Sequence, residues 1–173
     1  MVAAAVILPK DIIIESVNDS KKLTPKKRDI LFDEIKQKAF SYGIGIVDAK
    51  TIDKINILQA TFLAMRKALE QISVAPDLVL VDGNHKIPGI SFSQQAIVSG
   101  DAKSACIACA SILAKVTRDR LMFDYAEQYP EYGFEKHKGY GTKAHLEAIE
   151  KYGPCPIHRL TFAPLNFDQL TLF

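Results

Sequence analysis

LVLVD at residues 78–82 and SGDAKSACIACASILAKV at residues 99–116 decide how this chain folds. The first run is wholly apolar until Asp82, and Gly83 and Asn84 end it. That pattern predicts a buried strand with a carboxylate at its rim, where α/β sheets usually place their sites. In the second run, Gly100 and Asp101 precede small apolar residues without Gly or Pro, which predicts a helix from about Ala102 to Tyr129. Each Asp also has a local explanation. Asp82 before Gly83 suits a turn, and Asp101 suits a helix N-cap. Two of them, each at an element end beside Gly, suit a shared site for a hard divalent cation. Mg²⁺ and Mn²⁺ take oxygen ligands and keep waters for substrate phosphates.

On either side of these runs, strand and helix patterns alternate. VAAAVIL, residues 2–8, reads as a buried strand stopped by Pro9 and Lys10. Thr24 and Pro25 open a helix through Phe40, with Ile30, Leu31, Ile35 and Phe40 as its apolar stripe. Tyr42 to Val47 reads as a strand and Asp48 to Ile55 as a short polar segment. Ile57 to Ile72 has helical spacing in Leu58, Phe62, Met65 and Leu69. Ile97 and Val98 lead into the Gly100-Asp101 turn. Pro130 to Gly141 reads as a loop, and Thr142 caps a helix, KAHLEAIEKY, that Gly153 and Pro154 end. The alternation predicts one α/β domain around a mixed sheet. Its extent is residues 1–165, with 166–173 as an extended tail.

Composition narrows the function less than the motifs do. A net charge of +2 does not by itself demand a nucleic-acid partner, so that case rests on local patches. Three cysteines in no framework spacing suit reduced thiols and the cytosol. Cys106 and Cys109 form a C-x-x-C inside the small-residue helix and read as core residues. His85, His137, His145 and His158 are scattered, without zinc spacing, and read individually as surface or loop residues. Met1 to Pro9 is too short to span a bilayer and lacks a basic lead-in. Basic residues gather at Lys21, Lys22, Lys26, Lys27 and Arg28, where Ser20 and Lys21 follow a turn and suit a phosphate. Lys136 and Lys138 flank His137 ahead of Gly139-Tyr140-Gly141. A Tyr between two glycines suits either stacking on a sugar or base, or simple packing in a turn.

Taken together, NDSKKLT, LVLVDGNH, SGDAKSACIACASILAKVTRDRLM, YGFEKHKGYGTKAHLEAI and GPCPIHRLTFAPL resemble the type 2 ribonucleases H, or ribonuclease HII. The resemblance covers nearly the whole chain. It implies an RNase H-like fold: a mixed sheet flanked by helices, with a helical C-terminal part. It implies endonucleolytic cleavage of RNA in RNA–DNA hybrids and at single ribonucleotides in duplex DNA, with Mn²⁺ or Mg²⁺, giving a 5′-phosphate and a 3′-hydroxyl. Asp82 and Asp101 match the third and fourth of the family's four catalytic carboxylates. Tyr140, with Lys138 and Gly139 before it, matches the Tyr that stacks on the junction sugar. Ser20, Lys21 and Lys22 match the backbone-contacting loop.

One part of the family pattern is missing. An adjacent Asp-Glu pair on the first strand, and a Gly-Arg-Gly after it, precede the segment that Met1-Val2-Ala3-Ala4-Ala5 resembles. Loss of that central strand is expected to leave open strand edges and exposed apolar surface. The polypeptide is then expected to be poorly stable and close to inactive, or a hybrid-binding protein that does not cut. A misassigned start, with Met1 standing for a GTG-encoded Val, is the expected origin. A second resemblance lies at the other end. Gln169-Leu170-Thr171-Leu172-Phe173 is similar to the pentapeptide by which bacterial proteins bind the replication sliding clamp. Gln169 supplies polar contacts, and Leu170, Leu172 and Phe173 supply apolar anchors.

Overall fold

The computed structural model describes residues 1–15, 17 and 23–165. Ser20, Lys21, Lys22 and the tail from Gln169 to Phe173 lie outside the described residues. Those residues form two compact units, each made of separated stretches of chain. One comprises Val2–Ile46 and Thr61–Val116; the other comprises Met1, Val47–Ala60 and the chain from Thr117 onward.

The first unit holds the strands. β1 (Val2–Ile7) pairs antiparallel with β2 (Ser41–Ile46), with Val2 opposite Ile46 and Ile7 opposite Ser41. β3 (Val79–Asp82) pairs in parallel with β4 (Gln94–Ile97), which places Asp82 opposite Ile97. These are two separate two-stranded sheets, so each strand has one ladder partner among the described residues. Between them lies an apolar groove of about 630 Å³, lined by Val2 to Leu8 on one side and Leu78 to Asp82 on another. Met65 and Leu69 close one of its walls, and Ala110 and Ala114 another.

α1 (Pro25–Lys38) starts where Thr24 and Pro25 predict, with the Thr24 side chain accepting from the Lys27 N–H at 3.3 Å. Its buried face is Leu31, Phe32 and Ile35. Ile30 and Phe40 are exposed, because Phe40 lies beyond the helix end and Ile30 is on the opposite face. The core there joins α1 to the first half of α3 (Ala105–Gln128) through Cys109, Ile112 and Leu113. Burial pushes the Cys109 thiol up to about 12, so it is a core residue with no thiolate chemistry, as its setting predicts.

α2 (Ala49–Leu69) absorbs the stretch expected to be a polar segment. It is interrupted at Asn56, whose φ of 65° lies in the left-handed region. The Asn56 side chain accepts from the Gln59 N–H at 3.1 Å, so it restarts the helix after the break. The later half of α2 presses on β2. A Cβ on Gly43 or Gly45 would collide with the carbonyls of Ala68 and Ala64, so glycine lets the helix backbone lie against the strand.

The second unit is helical. The expected loop from Pro130 to Gly141 contains a 3₁₀ turn at Pro130–Tyr132 and the single-turn α4 (Phe134–His137). α5 (Lys143–Tyr152) is capped by Thr142, as predicted, and ends at Gly153 with φ 75°. Tyr132, Phe134, Ala148 and Ile149 form its core. Asp53 closes the unit from far along the chain. Its carboxylate accepts the Leu160 N–H at 2.8 Å, the Thr161 N–H at 3.1 Å and the Thr161 hydroxyl at 2.6 Å. Partial burial pushes its pKa up, but these three donors outweigh that and hold it below its ordinary value. No helix among the described residues is long and apolar enough to cross a membrane.

Candidate nuclease site and its supporting residues

Asp82 stands at the exposed end of β3, and Asp101 sits buried in a 3₁₀ turn at Gly100–Ala102. The Gly100 N–H donates to Asp82 Oδ1 at 2.8 Å, which ties the rim of β3 to the turn that carries Asp101. One Asp82 oxygen thus faces the distant turn, and the long helix begins beyond Asp101, at Ala105. Gly100 has no room to be anything else. A Cβ there would lie 2.6 Å from Ile107 Cδ1 and 3.2 Å from Asp82 Oδ1. Lys103 folds back, its ammonium donating to the Val98 carbonyl at 2.8 Å, which fixes the turn from the other side.

Among the described residues, no group of three or more His, Cys, Asp or Glu is arranged to hold a metal ion. Carboxylates suit a hard dication chemically, but Asp82 and Asp101 supply only part of the oxygens that one needs.

In the second unit, Tyr140 is exposed and held at both ends. Its hydroxyl accepts from Arg118 Nη1 at 2.8 Å, and the guanidinium carbon lies 5.1 Å from the ring centroid. Arg118 is itself gripped by Asp119 Oδ1 at 2.7 and 3.2 Å. At the other end, the Tyr140 carbonyl accepts from His145 Nδ1 at 2.9 Å. Lys138, with φ 51°, turns its ammonium inward. It donates to the Glu135 carbonyl at 2.6 Å and lies 3.3 Å from the Phe123 ring centroid. Gly139 takes φ 78°, and a Cβ there would stand 3.7 Å from Met122 Sδ.

The histidines depart most from the sequence reading. His137 and His145 are buried, at 8% and 6% exposure, and with His158 they form one cluster around Phe134. His137 and His145 stack with centroids 4.2 Å apart. The His145 and His158 Nε2 atoms are 3.0 Å apart. α4 and the turn after Gly153 fold these separated positions together, which spacing alone does not reveal. Burial lowers the pKa of both His145 and His158. The neighbouring His137 lowers that of His145 further, and His145 that of His158. Arg118 was also missed as a site residue. Its side chain points to Tyr140 only because α3 continues past the core as one helix.

The fold has solved counterparts. A ribonuclease H2 from Pyrococcus horikoshii OT3 superposes with a TM-score of 0.69, at 26% identity and 95% coverage of each chain. The PCNA:RNase HII complex from Archaeoglobus fulgidus gives a TM-score of 0.66 at 22% identity, over 84% of this chain and 78% of that one. The architecture is thus that of an RNase H-class α/β enzyme. Sequence narrows the class. The family model for ribonuclease HII matches residues 1–165. Ribonuclease HII of Endomicrobium trichonymphae is 63% identical over 96% of this chain and 79% of its own length. That of Caldicellulosiruptor bescii is 59% identical over 92% and 77%. The chain belongs to the ribonuclease HII family, and by family it is a ribonuclease H acting on RNA–DNA hybrids.

Proposed function

We infer that Asp82 and Asp101 belong to the carboxylate set of an endonuclease that cuts RNA in hybrids and at single ribonucleotides embedded in duplex DNA. The hydrogen bond that joins Asp82 to the Gly100-Asp101 turn carries the reading, because it ties the strand end that bears one carboxylate to the turn that bears the other. Asp82 and Asp101 would hold Mn²⁺ or Mg²⁺. Such ions, when bound, supply Lewis-acid stabilisation of the phosphate charge and an activated water, which suits a 5′-phosphate and 3′-hydroxyl outcome. The groove between β1 and β3 supports the rest of the reading. A further apolar strand would pair with both open edges and would bring the expected Asp-Glu pair beside Asp82. Cutting would be weaker with the groove open than with it filled. Tyr140 would contact the ribose, with Gly139 and Lys138 shaping its approach, and Ser20, Lys21 and Lys22 would contact the phosphate backbone. Gln169, Leu170, Leu172 and Phe173 would engage a bacterial sliding clamp, and the enzyme would work in the cytoplasm.

A second reading has its own support in the same two-carboxylate set: a protein that binds hybrids without cutting. The test is cleavage, with Mn²⁺, of a DNA duplex containing one ribonucleotide. The chain as given is compared with one extended upstream by an apolar strand bearing an Asp-Glu pair. Cutting by the extended chain alone supports the enzyme reading. Cutting by the shorter chain, abolished by Asp82→Asn, would refute the impairment. Binding by both with cutting by neither would establish the second reading. A fluorescent peptide of residues 165–173 tests the tail, and no binding to a purified clamp removes that partner.

A further inference from the structure

The hydrogen-bond partners in the histidine cluster assign every proton. A backbone N–H can only donate, so the nitrogen it points to must be bare; a carbonyl can only accept, so the nitrogen facing it must carry hydrogen. The Cys155 N–H donates to His158 Nδ1 at 2.9 Å. The His158 hydrogen is therefore on Nε2, 3.0 Å from His145 Nε2. His145 must carry its own hydrogen on Nδ1, because that atom faces the Tyr140 carbonyl at 2.9 Å. Its Nε2 is then bare and accepts from His158. His137 repeats the arrangement: the Gly139 N–H donates to Nδ1 at 3.2 Å, and Nε2 donates to the Tyr132 carbonyl at 2.8 Å. Each ring is confined to one neutral tautomer. A second proton on any of them would set two donors face to face.

We propose that His158 and His145 form a neutral positioning relay that sets the backbone of Tyr140, with His137 holding Gly139 beside it, so that protonation releases the ribonucleotide-contacting loop. The proposal rests on the reading of Tyr140 as a ribose contact. The chain of donors runs from the Cys155 amide through His158 and His145 to the Tyr140 carbonyl, while Arg118 holds the hydroxyl end. Both handles on the Tyr are then fixed, and the ring has a set direction before any substrate arrives. The titratable groups around the cluster do not offset an added proton well. Cys155 Sγ is 3.1 Å from His158 Nδ1, but burial keeps its thiol protonated. The Tyr132 hydroxyl is committed to the Gly153 carbonyl at 2.7 Å. Glu131 is the carboxylate that acts on Cys155 and Tyr132. The depressed pKa values of His145 and His158 agree in direction with a relay that is neutral at pH 7.

The experiment measures equilibrium binding of two labelled duplexes, with one ribonucleotide and with none, in Ca²⁺ so that nothing is cut. His145→Ala is expected to lose roughly tenfold in discrimination between the duplexes, the size of one hydrogen bond left unmade. His145→Asn is expected to restore most of it, because its amide can donate where Nδ1 does. In a Tyr140→Ala background, His145→Ala is expected to change nothing further. Discrimination by the unmodified chain should fall as pH drops from 7.5 to 5.5. Equal loss in His145→Ala and His145→Asn would overturn the relay and leave only a packing role. If Tyr140→Ala discriminates as well as the unmodified chain, the ribose-contact reading is what fails, and the relay's purpose falls with it. A third measurement needs neither binding nor a variant. Imidazole ¹⁵N shifts at pH 7.5 should show His145 hydrogen on Nδ1 and His158 and His137 hydrogen on Nε2; rapid tautomer averaging would sink the proposal.

Discussion

In the unit built on Val2–Ile46 and Thr61–Val116, β1 and β3 each have one ladder partner among the described residues and lie beside an apolar groove. In the other unit, both ring nitrogens of His137, His145 and His158 have partners at hydrogen-bonding distance. One half borders an apolar groove; the other satisfies even its titratable core. The difference teaches where addition and where removal act. Filling the groove should stabilise the first unit and add chemistry, whereas the second has nothing to gain from a new partner and much to lose from any missing one.

The largest effect should come from Asp82→Asn in a chain extended to fill the groove. Cleavage should drop about a thousandfold or more, since a lost charge-stabilising group of this kind is worth several kcal/mol. A drop below tenfold would remove Asp82 from the chemistry. Next is Phe134→Ala. The ring is almost wholly buried and packs on Tyr132 at 5.3 Å, so the loss should be about 3–5 kcal/mol by urea unfolding. Amide exchange should report it in α5 first. Gly100→Ala should cost about 1–3 kcal/mol through overpacking against Ile107. A cost near zero would mean that the turn can shift, and the Asp82 contact with it.

A smaller effect should appear on acidification. His145 and His158 are depressed from 6.5, so the unfolded chain takes up protons first as pH falls. Stability from the neutral rings is complete above 6.5 and is lost as pH falls through their lower folded values. Asp53 is depressed from 3.8, so its contribution persists to lower pH and goes only below that value. Exchange protection in α5 followed from pH 8 to 5 should therefore weaken while the Leu160 amide stays protected. Simultaneous loss would merge the two windows. The smallest effect is at Glu34, whose exposed pair with Lys38 at 2.7 Å should be worth no more than about 0.5 kcal/mol on Glu34→Gln.

Much of this was legible from the residues. The apolar run before Asp82, the Thr24 and Thr142 caps, and the small-residue helix all express local rules, and the structure keeps them. β4 was mostly hidden because it begins with Gln94 and Gln95, which carry no apolar signal. Gln94 instead works as a side-chain bracket: it donates to the Ile87 carbonyl at 3.0 Å and accepts the Ile87 N–H at 2.7 Å. The break at Asn56 was hidden by the helical pattern around it. The histidine cluster was illegible because its members meet only after α4 and the Cys155 turn have formed. Asp82 and Asp101 were each legible as element ends, but the Gly100 N–H contact that ties Asp82 to the turn is one that no spacing rule predicts.

The reach of Asp53 to Leu160 and Thr161 has a consequence for synthesis. A growing chain exposes Asp53 early, yet its donors lie 107 and 108 residues further on and emerge much later. The unit that Asp53 closes cannot complete itself until that long stretch has been made. Until then, α2 and the end of α3 wait as nascent surface, and the interval before closure is when a chaperone has most to bind.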